Sequence, residues 1–381
     1  MNIAILSESC FPVINGVSAS TDILFRGLAA RGHRVTVIAP DHPDAADTEG
    51  VLRTGSVILK PAKDYPLPSL SGLAGLEDML AGIRPDVIHA QIPFIYGLQG
   101  KRIARKLGVP FVSVSHTLYP EYVHYVPFAP GALAAFAVKK YLARFYSSCD
   151  AVATPSAMMK VELMGYGVKR EIKIIPTGIR LPAGGGAGDM RESLGIPRES
   201  RVLVYMSRVA KEKNLDLLTE ACAGLQADYP GLTLLVIGGG PYLEHMKRQA
   251  AAGGYRCVFT GMVENSRIYD YLRCGDIFVF PSVTETQGLA VCEAQAAGLP
   301  VVAVRAGGVP ENVVENRTGF LTGNSAEDFA GRIRVLLDNQ ELRRYMSRWA
   351  AAHAANFSID SMLDRYEAFY RGALEKRAKE Q

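Results

Sequence analysis

Short apolar runs alternate with longer segments of helical periodicity along this chain. Met1 to Ser7 is an apolar run suited to a buried strand, Ser18 to Arg31 has the period of a helix, and Arg34 to Ala39 is a second apolar run. Strands that are apolar on both faces and separated by helices are typical of a parallel β-sheet. The pattern therefore predicts an α/β fold that starts with a β-α-β unit.

The alternation continues and then restarts after a glycine-rich break. Further strands of the first half are predicted at Val87 to His89, Phe111 to Val114, Ala151 to Ala153 and Lys173 to Ile175, with a helix at Gly97 to Leu107. Residues 182–188 include four glycines, a composition typical of a linker. Strands of the second half are predicted at Arg201 to Tyr205, Leu232 to Ile237, Cys257 to Phe259, Ile277 to Phe280 and Val301 to Val304.

We therefore predict two Rossmann-like, doubly wound parallel-sheet domains, residues 1–181 and 182–362, with a cleft between them. A chain of 381 residues exceeds the size at which one hydrophobic core keeps growing, which agrees with two domains. The amphipathic segment from Asp360 onward predicts a helix, at about 363–381, that packs back on the first domain. Because ligands of such sheets bind at the carboxyl ends of the strands, we expect the site there.

Composition indicates a globular protein of a reducing compartment. Hydrophobic residues make up 48% of the chain and charged residues 21%, and the six cysteines show no Cys-x-x-Cys spacing. The N-terminus has no pattern of a signal peptide, and no window reaches the ~18 uninterrupted apolar residues of a membrane-spanning helix. We expect a cytoplasmic protein with no nucleic-acid partner.

The net charge of +4 is unevenly distributed. Residues 101–180 contain 12 Lys or Arg against 4 Asp or Glu, whereas residues 1–100 contain 7 against 10. A basic excess confined to one segment is typical of a surface that binds anionic lipid or phosphate, and equally of a solvated helix face. The sequence leaves both interpretations open.

The segment Pro281 to Glu293 follows a predicted strand and opens a predicted helix. Unpaired backbone N–H groups at a helix start, together with the helix dipole, favour a phosphate. Glu285 precedes that start and Glu293 lies about one turn inside it, so their carboxylates can flank a diphosphate. The alternative is that Glu285 caps the helix and Glu293 is an exposed helical residue.

The spacing from Glu285 to Glu293 matches Glu-x(7)-Glu, and the segments at residues 296–303 and 307–311 accompany it. Together they resemble the large retaining GT-B glycosyltransferase family, which includes glycogen synthases, phosphatidylinositol mannosyltransferases and diacylglycerol glucosyltransferases. The segment at residues 207–214 resembles that family's diphosphate-binding segment. The resemblance implies that Arg208 and Lys213 contact the phosphates of a nucleotide-diphosphate sugar.

Two cations and a helix start can stabilise the negative charge that collects on a leaving diphosphate. No metal ion or other cofactor is then required, and no Asp-x-Asp triplet occurs in the chain. The catalytic group implied by the resemblance is His116, Arg208, Lys213 and Glu285. The implied donor-binding residues are Gly16, Arg208, Lys213, Gly239, Val263, Glu285, Thr286, Gln287, Gly288, Leu289 and Glu293.

The acceptor side is predicted after the strand that ends at Val114. His116 falls where the family has a histidine facing the donor sugar, and the run from His116 to Tyr125 resembles bacterial enzymes that glucosylate diacylglycerol. This resemblance implies acceptor contacts from Tyr119, Tyr122, His124 and Tyr125. The following helix, Phe128 to Tyr146, has an apolar run ending in Lys139, Lys140 and Arg144, which is typical of an interfacial membrane helix or of an ordinary core-facing one.

We therefore predict transfer of a hexose, with UDP-glucose favoured as donor, to a lipid acceptor, 1,2-diacylglycerol, at the anionic inner face of the cell membrane. Alternatives are a GDP-mannose-dependent mannosyltransferase acting on phosphatidylinositol or another glycolipid, and a transferase with a soluble acceptor. A nicotinamide oxidoreductase is a further class, which the single glycine at Gly16 and Leu243 at the third-glycine position oppose. A noncatalytic nucleotide-sugar or membrane-binding protein would keep the same fold.

Overall fold

A computed structural model describes residues 1–13, 15–58, 66–121, 131–182 and 190–380. The chain divides into two compact units. The first contains Met1–Gly178 and Ile359–Gln381, and the second contains Ile179–Ser358. The predicted linker at residues 182–188 lies almost wholly outside the described residues.

The first unit contains a seven-stranded sheet in the order β3-β2-β1-β6-β7-β8-β9, with every neighbouring pair parallel. Its strands, together with the small antiparallel pair β4 and β5, are β1 Asn2–Leu6, β2 Arg34–Pro40, β3 Val51–Thr54, β4 Ser56–Val57, β5 Leu67–Pro68, β6 Val87–Ala90, β7 Phe111–Val114, β8 Ala151–Thr154 and β9 Ile172–Ile174. The helices of this part are α1 Gly16–Ala30, α2 Leu70–Ala74, α3 Leu76–Ile83, α4 Ile95–Leu107, α5 Gly131–Ser147 and α6 Ala157–Tyr166.

Strand β1 lies inside this sheet, between β2 and β6. Ile3 and Ile5 belong to the core on one face, and Ala4 and Leu6 belong to the core on the other, which is why the strand is apolar at every position. The chain leaves β1 toward β2 on one side, and β6 lies on the other. A reversal of strand order leaves a crevice at the carboxyl ends of the two central strands.

The second unit contains a six-stranded parallel sheet in the order β12-β11-β10-β13-β14-β15. Its strands are β10 Arg201–Met206, β11 Leu232–Ile237, β12 Arg256–Gly261, β13 Ile277–Phe280, β14 Val301–Val304 and β15 Gly319–Thr322. Its helices are α7 Met190–Ser193, α8 Leu215–Leu225, α9 Leu243–Ala252, α10 Ile268–Leu272, α11 Leu289–Ala296, α12 Ala326–Asp338 and α13 Gln340–Ala354. Its strand order reverses between β10 and β13.

The last helix, α14 (Ile359–Glu380), packs on the first unit. Its apolar face joins the core cluster that contains Ile3 and Ile5. The Tyr370 hydroxyl lies 2.8 Å from Nδ1 of His89 on β6. Burial of this face therefore completes one side of the first sheet.

The predicted fold class is confirmed, since both sheets are parallel and doubly wound. Among the helices of the described ranges, none is both long enough and apolar enough to cross a membrane.

Candidate active site

A cation and a carboxylate meet at the point where the strand order of the second sheet reverses. The Lys213 ammonium donates to Oε1 of Glu285 at 2.6 Å, and the Ser282 hydroxyl donates to the same oxygen at 2.9 Å. Lys213 follows β10 and Glu285 follows β13, and each side chain is 17% exposed. The Asn214 side chain donates to the Pro281 carbonyl at 3.0 Å, so a second contact ties the two loops together.

The loop that follows β14 holds the backbone around Glu285. The Gly308 N–H donates to the Glu285 carbonyl at 2.8 Å, and the buried Asn312 side chain donates to the Gln287 carbonyl. A Cβ at Gly307 would lie 2.3 Å from the Glu285 carbonyl oxygen, so only glycine allows this approach. The backbone of residues 285–288 is therefore fixed just before α11 begins.

Helix α11 starts at Leu289, and Gly288 before it has a left-handed backbone (φ 82°). Glu293 is the fifth residue of this helix and is partly buried. Burial raises the pKa of Glu293 to about 7, so near neutral pH about half of these carboxyls carry a proton and can donate a hydrogen bond as well as accept one. Thr286 is partly buried and Gln287 is 4% exposed in the preceding loop.

The other predicted donor residues of this unit lie after neighbouring strands. Arg208 follows β10 and is exposed, and its side chain has no hydrogen bond or ion pair within the described ranges. The Gly239 carbonyl accepts from the Val209 N–H at 2.9 Å, which joins the loops after β10 and β11. Val263 follows β12 and packs partly buried against the core. The structure thus brings Lys213 and Glu285 into contact, and within its described part no polar partner binds the Arg208 side chain.

In the first unit, Nε2 of His116 lies 2.8 Å from Oε1 of Gln91, which follows β6. Burial lowers the pKa of His116 to about 4, so the ring is neutral at pH 7. When Nε2 donates to Gln91, Nδ1 is left as an acceptor.

Glu8 follows β1 and is a candidate site residue that the sequence analysis did not name. It is buried, its Oε1 accepts from the Tyr96 N–H at 2.9 Å, and burial raises its pKa to about 7. The signal that could have found Glu8 and Gln91 is a polar residue one or two positions after the end of an apolar strand. Tyr119 is partly buried, and its ring packs edge-on against Phe94 with centroids 4.9 Å apart.

Gly16 is the first residue of α1, and apart from its chain neighbours and its own helix backbone no described atom lies within 4 Å of the position a Cβ would take there. The helix is capped by Asn15, whose side chain accepts from the Ser18 N–H at 2.9 Å. The predicted acceptor residues Tyr122, His124 and Tyr125 lie outside the described residues.

Helix α5 exposes apolar and basic side chains together. Leu133 is 66% exposed and Phe136 is 56% exposed. Lys139 and Lys140 are exposed and lie over the rings of Tyr166 and Phe136, and Arg144 is exposed one turn later. In the first half of α5, Val138 packs partly buried against the core, whereas Leu133 and Phe136 lie on the exposed side. Across the described segments, no cluster of three or more His, Cys, Asp or Glu side chains could hold a metal ion.

Comparisons with known proteins agree with this architecture. The family model described as "Glycosyl transferases group 1" matches residues 187–353, and "Glycosyltransferase Family 4" matches residues 14–181. The alpha-monoglucosyldiacylglycerol synthase of Streptococcus pneumoniae is 33% identical over 315 residues, which cover 80% of this chain and 71% of that protein. The GDP-mannose-dependent alpha-mannosyltransferase of Mycobacterium tuberculosis is 30% identical over 328 residues, covering 84% of this chain and 83% of that protein.

The fold is shared with a solved structure, that of Anabaena HepE in complex with UDP. Its TM-score is 0.77 at 19% identity, with 97% of this chain and 99% of that chain covered. The resemblance seen in the sequence motifs is confirmed, and the chain belongs to the group 1 glycosyl transferases of the GT-B fold.

Proposed function

We propose that this glycosyltransferase moves glucose from UDP-glucose to the free hydroxyl of 1,2-diacylglycerol, with retention at the anomeric carbon and without a metal ion. The names of the relatives support the sugar and the lipid. The single observation that carries the proposal is the Lys213–Glu285 pair, which holds a cation at the reversal point of the second sheet. That point is where ligands of doubly wound sheets bind.

In the proposed reaction, the acceptor hydroxyl attacks the anomeric carbon from the face that the diphosphate leaves. A donor phosphate oxygen receives the proton of that hydroxyl as the bond between the sugar and the diphosphate breaks. Lys213 and Arg208 stabilise the charge that collects on the leaving diphosphate, and a cation already held in position does so without reorganisation. Glu285 orients the sugar, and His116 contacts it as a neutral acceptor.

The remaining donor residues bind the nucleotide, some through side chains and others through backbone groups. Glu293 binds ribose hydroxyls, a role that suits a carboxyl able to donate and accept. Gly16, Gly239 and the start of α11 present backbone groups to the phosphates. Val263 lies beside the base.

We further propose that α5 rests on the anionic inner face of the cell membrane as a peripheral contact. The exposed Leu133 and Phe136 supply apolar anchors, and Lys139, Lys140 and Arg144 supply charge. An interfacial helix needs both on one exposed surface.

A second candidate is a GDP-mannose-dependent mannosyltransferase acting on phosphatidylinositol or another glycolipid. The Mycobacterium tuberculosis relative supports this candidate, because that protein is 30% identical to this chain and the alpha-monoglucosyldiacylglycerol synthase is 33% identical.

The test is an assay of UDP-glucose and GDP-mannose against vesicles containing diacylglycerol or phosphatidylinositol, with products identified by mass and the anomer assigned by NMR. We expect an α-glucosyl diacylglycerol, formed equally well in excess EDTA, and flotation with anionic but not with neutral vesicles. A mannosylated lipid would establish the second candidate, and an inverted anomer would refute the mechanism.

A further inference from the structure

The Glu8 carboxyl lies at the reversal point of the first sheet, two residues after the end of β1. Its Oε1 accepts from the Tyr96 N–H in the first turn of α4 at 2.9 Å. Its Oε2 is buried and has no hydrogen-bond partner among the residues that the structure describes, and the whole residue is only 9% exposed. A buried polar atom without a partner costs about 1–3 kcal/mol, more when charged. Oε1 caps the start of α4, but this contact does not explain why the protein tolerates the free-energy cost of burying Oε2.

Aromatic side chains stand on the same edge of the sheet. Phe94, the residue just before α4, is 38% exposed and packs against Tyr119 and Tyr141, with ring centroids 4.9 and 6.0 Å away. The Tyr141 hydroxyl donates to the carbonyl of Pro93. Burial and the nearby charge of Glu8 raise the pKa of Tyr141 to about 12, and the same two causes raise the pKa of Tyr119, so the carboxyl and these rings are electrostatic neighbours.

An acidic oxygen beside aromatic rings suits a ligand that carries both hydroxyl and C–H groups, such as glycerol or a sugar. It does not suit a phosphate, because like charges brought together at a site of low dielectric repel each other. The chemistry of this edge therefore matches a neutral hydroxyl-bearing group that carries no phosphate.

We propose that Glu8 binds a hydroxyl of the acceptor and selects a neutral hydroxyl-bearing headgroup over a phosphate-bearing one. The inference rests on the proposed function, in which a hydroxyl of a lipid receives the sugar. It assigns the selection between diacylglycerol and phosphatidylinositol to one residue of the first unit.

The test uses Glu8→Gln in the full chain. The carboxamide oxygen keeps the contact with the Tyr96 N–H, and the second oxygen becomes an NH₂ group without negative charge. We expect the KM for diacylglycerol to rise at least tenfold, a loss of about 1.4 kcal/mol, with the KM for the nucleotide sugar unchanged. At pH 8, where Glu8 is mostly ionised because burial raises its pKa only to about 7, the rate with phosphatidylinositol relative to diacylglycerol should rise at least fivefold in the variant.

The matched control is Glu171→Gln, which removes an exposed carboxylate of the same unit. We expect both KM values and the selectivity to stay within twofold of the wild type. If Glu8→Gln does not fold, Glu8→Asp keeps the charge and shortens the side chain, and it should raise the acceptor KM while selection against phosphatidylinositol persists.

An unchanged acceptor KM and unchanged selectivity in Glu8→Gln, with only a lower melting temperature, would show that Glu8 merely caps α4. Loss of selection in Glu8→Asp would overturn the inference in the same way. Both results leave the proposed function standing. A wild-type protein that glycosylates neither lipid overturns the proposed function and the inference together.

Discussion

The Lys213→Ala change tests the proposed donor site, and its size follows from the structure. Lys213 and Glu285 are each 17% exposed and 2.6 Å apart. Two unit charges 4 Å apart interact by about 4 kcal/mol at an effective dielectric constant of about 20. In Lys213→Ala, the diphosphate that gains charge in the transition state no longer has this cation beside it and loses most of such an interaction. We therefore expect kcat to fall by about 10²-fold or more, equivalent to roughly 3 kcal/mol.

Folding should suffer less than turnover. After the substitution Glu285 keeps the hydrogen bond from Ser282, and we expect a loss of about 1–2 kcal/mol in the free energy of unfolding. The double variant Lys213→Ala with Glu285→Gln removes the unpaired carboxylate and should recover that stability without recovering activity. Because Glu285 has a proposed role of its own, the double variant tests the stability cost of the unpaired carboxylate, and the single variant tests turnover.

The assay is kcat and donor KM with diacylglycerol vesicles, alongside urea denaturation. The matched control is Lys247→Ala, which breaks an exposed ion pair with Glu244 (2.8 Å) in the same unit and should leave kcat within twofold. A Lys213→Ala enzyme that folds and turns over within threefold of the wild type would refute the role of Lys213. Activity restored in the double variant would refute it too.

Three other changes test the surrounding structure. Gly308→Ala places a Cβ 2.3 Å from the Thr286 carbonyl oxygen and should lower the free energy of unfolding by about 2–4 kcal/mol. The control Gly331→Ala lies inside α12, where a Cβ meets no described neighbour within 4 Å outside the helix backbone, and it should raise the free energy of unfolding by up to about 1 kcal/mol. Equal effects of the two changes would contradict the predicted clash. Glu293 has a folded pKa raised from 4.5 to about 7, so the folded protein binds more protons than the unfolded chain in this window and its stability falls as pH rises through it. Glu293→Gln should therefore stabilise the protein by about 3 kcal/mol at pH 8 and hardly at all at pH 4, as measured by denaturation at both pH values; a pH-independent effect would show that burial does not govern this carboxyl. Tyr370→Phe removes the partner of Nδ1 of buried His89 and should cost about 1–3 kcal/mol in urea denaturation, with no change expected if water replaces the hydroxyl.

The fold is readable from the sequence because strands buried on both faces need apolar residues at nearly every position. Leu232–Ile237 and Val301–Val304 have the bounds that the pattern predicts. The pattern does not predict β3 (Val51–Thr54) or β15 (Gly319–Thr322), since each is four residues long, lies at a sheet edge and includes polar residues or glycine. Hydrophobic periodicity carries little information over so short a segment.

Local residue pattern and family resemblance determined the fold class and the family, and they predicted the charged groups of a donor site. Only the tertiary structure decided which of those groups meet. Lys213 and Glu285 are 72 residues apart in the chain and touch because β10 and β13 are neighbours in the sheet. Nothing in the local sequence around Glu8 marks it as buried. Its carboxylate accepts a hydrogen bond from Tyr96 of α4, which lies 88 residues away in the chain. Periodicity is a local property, whereas burial, hydrogen-bond partners and pKa values depend on segments that only folding brings together.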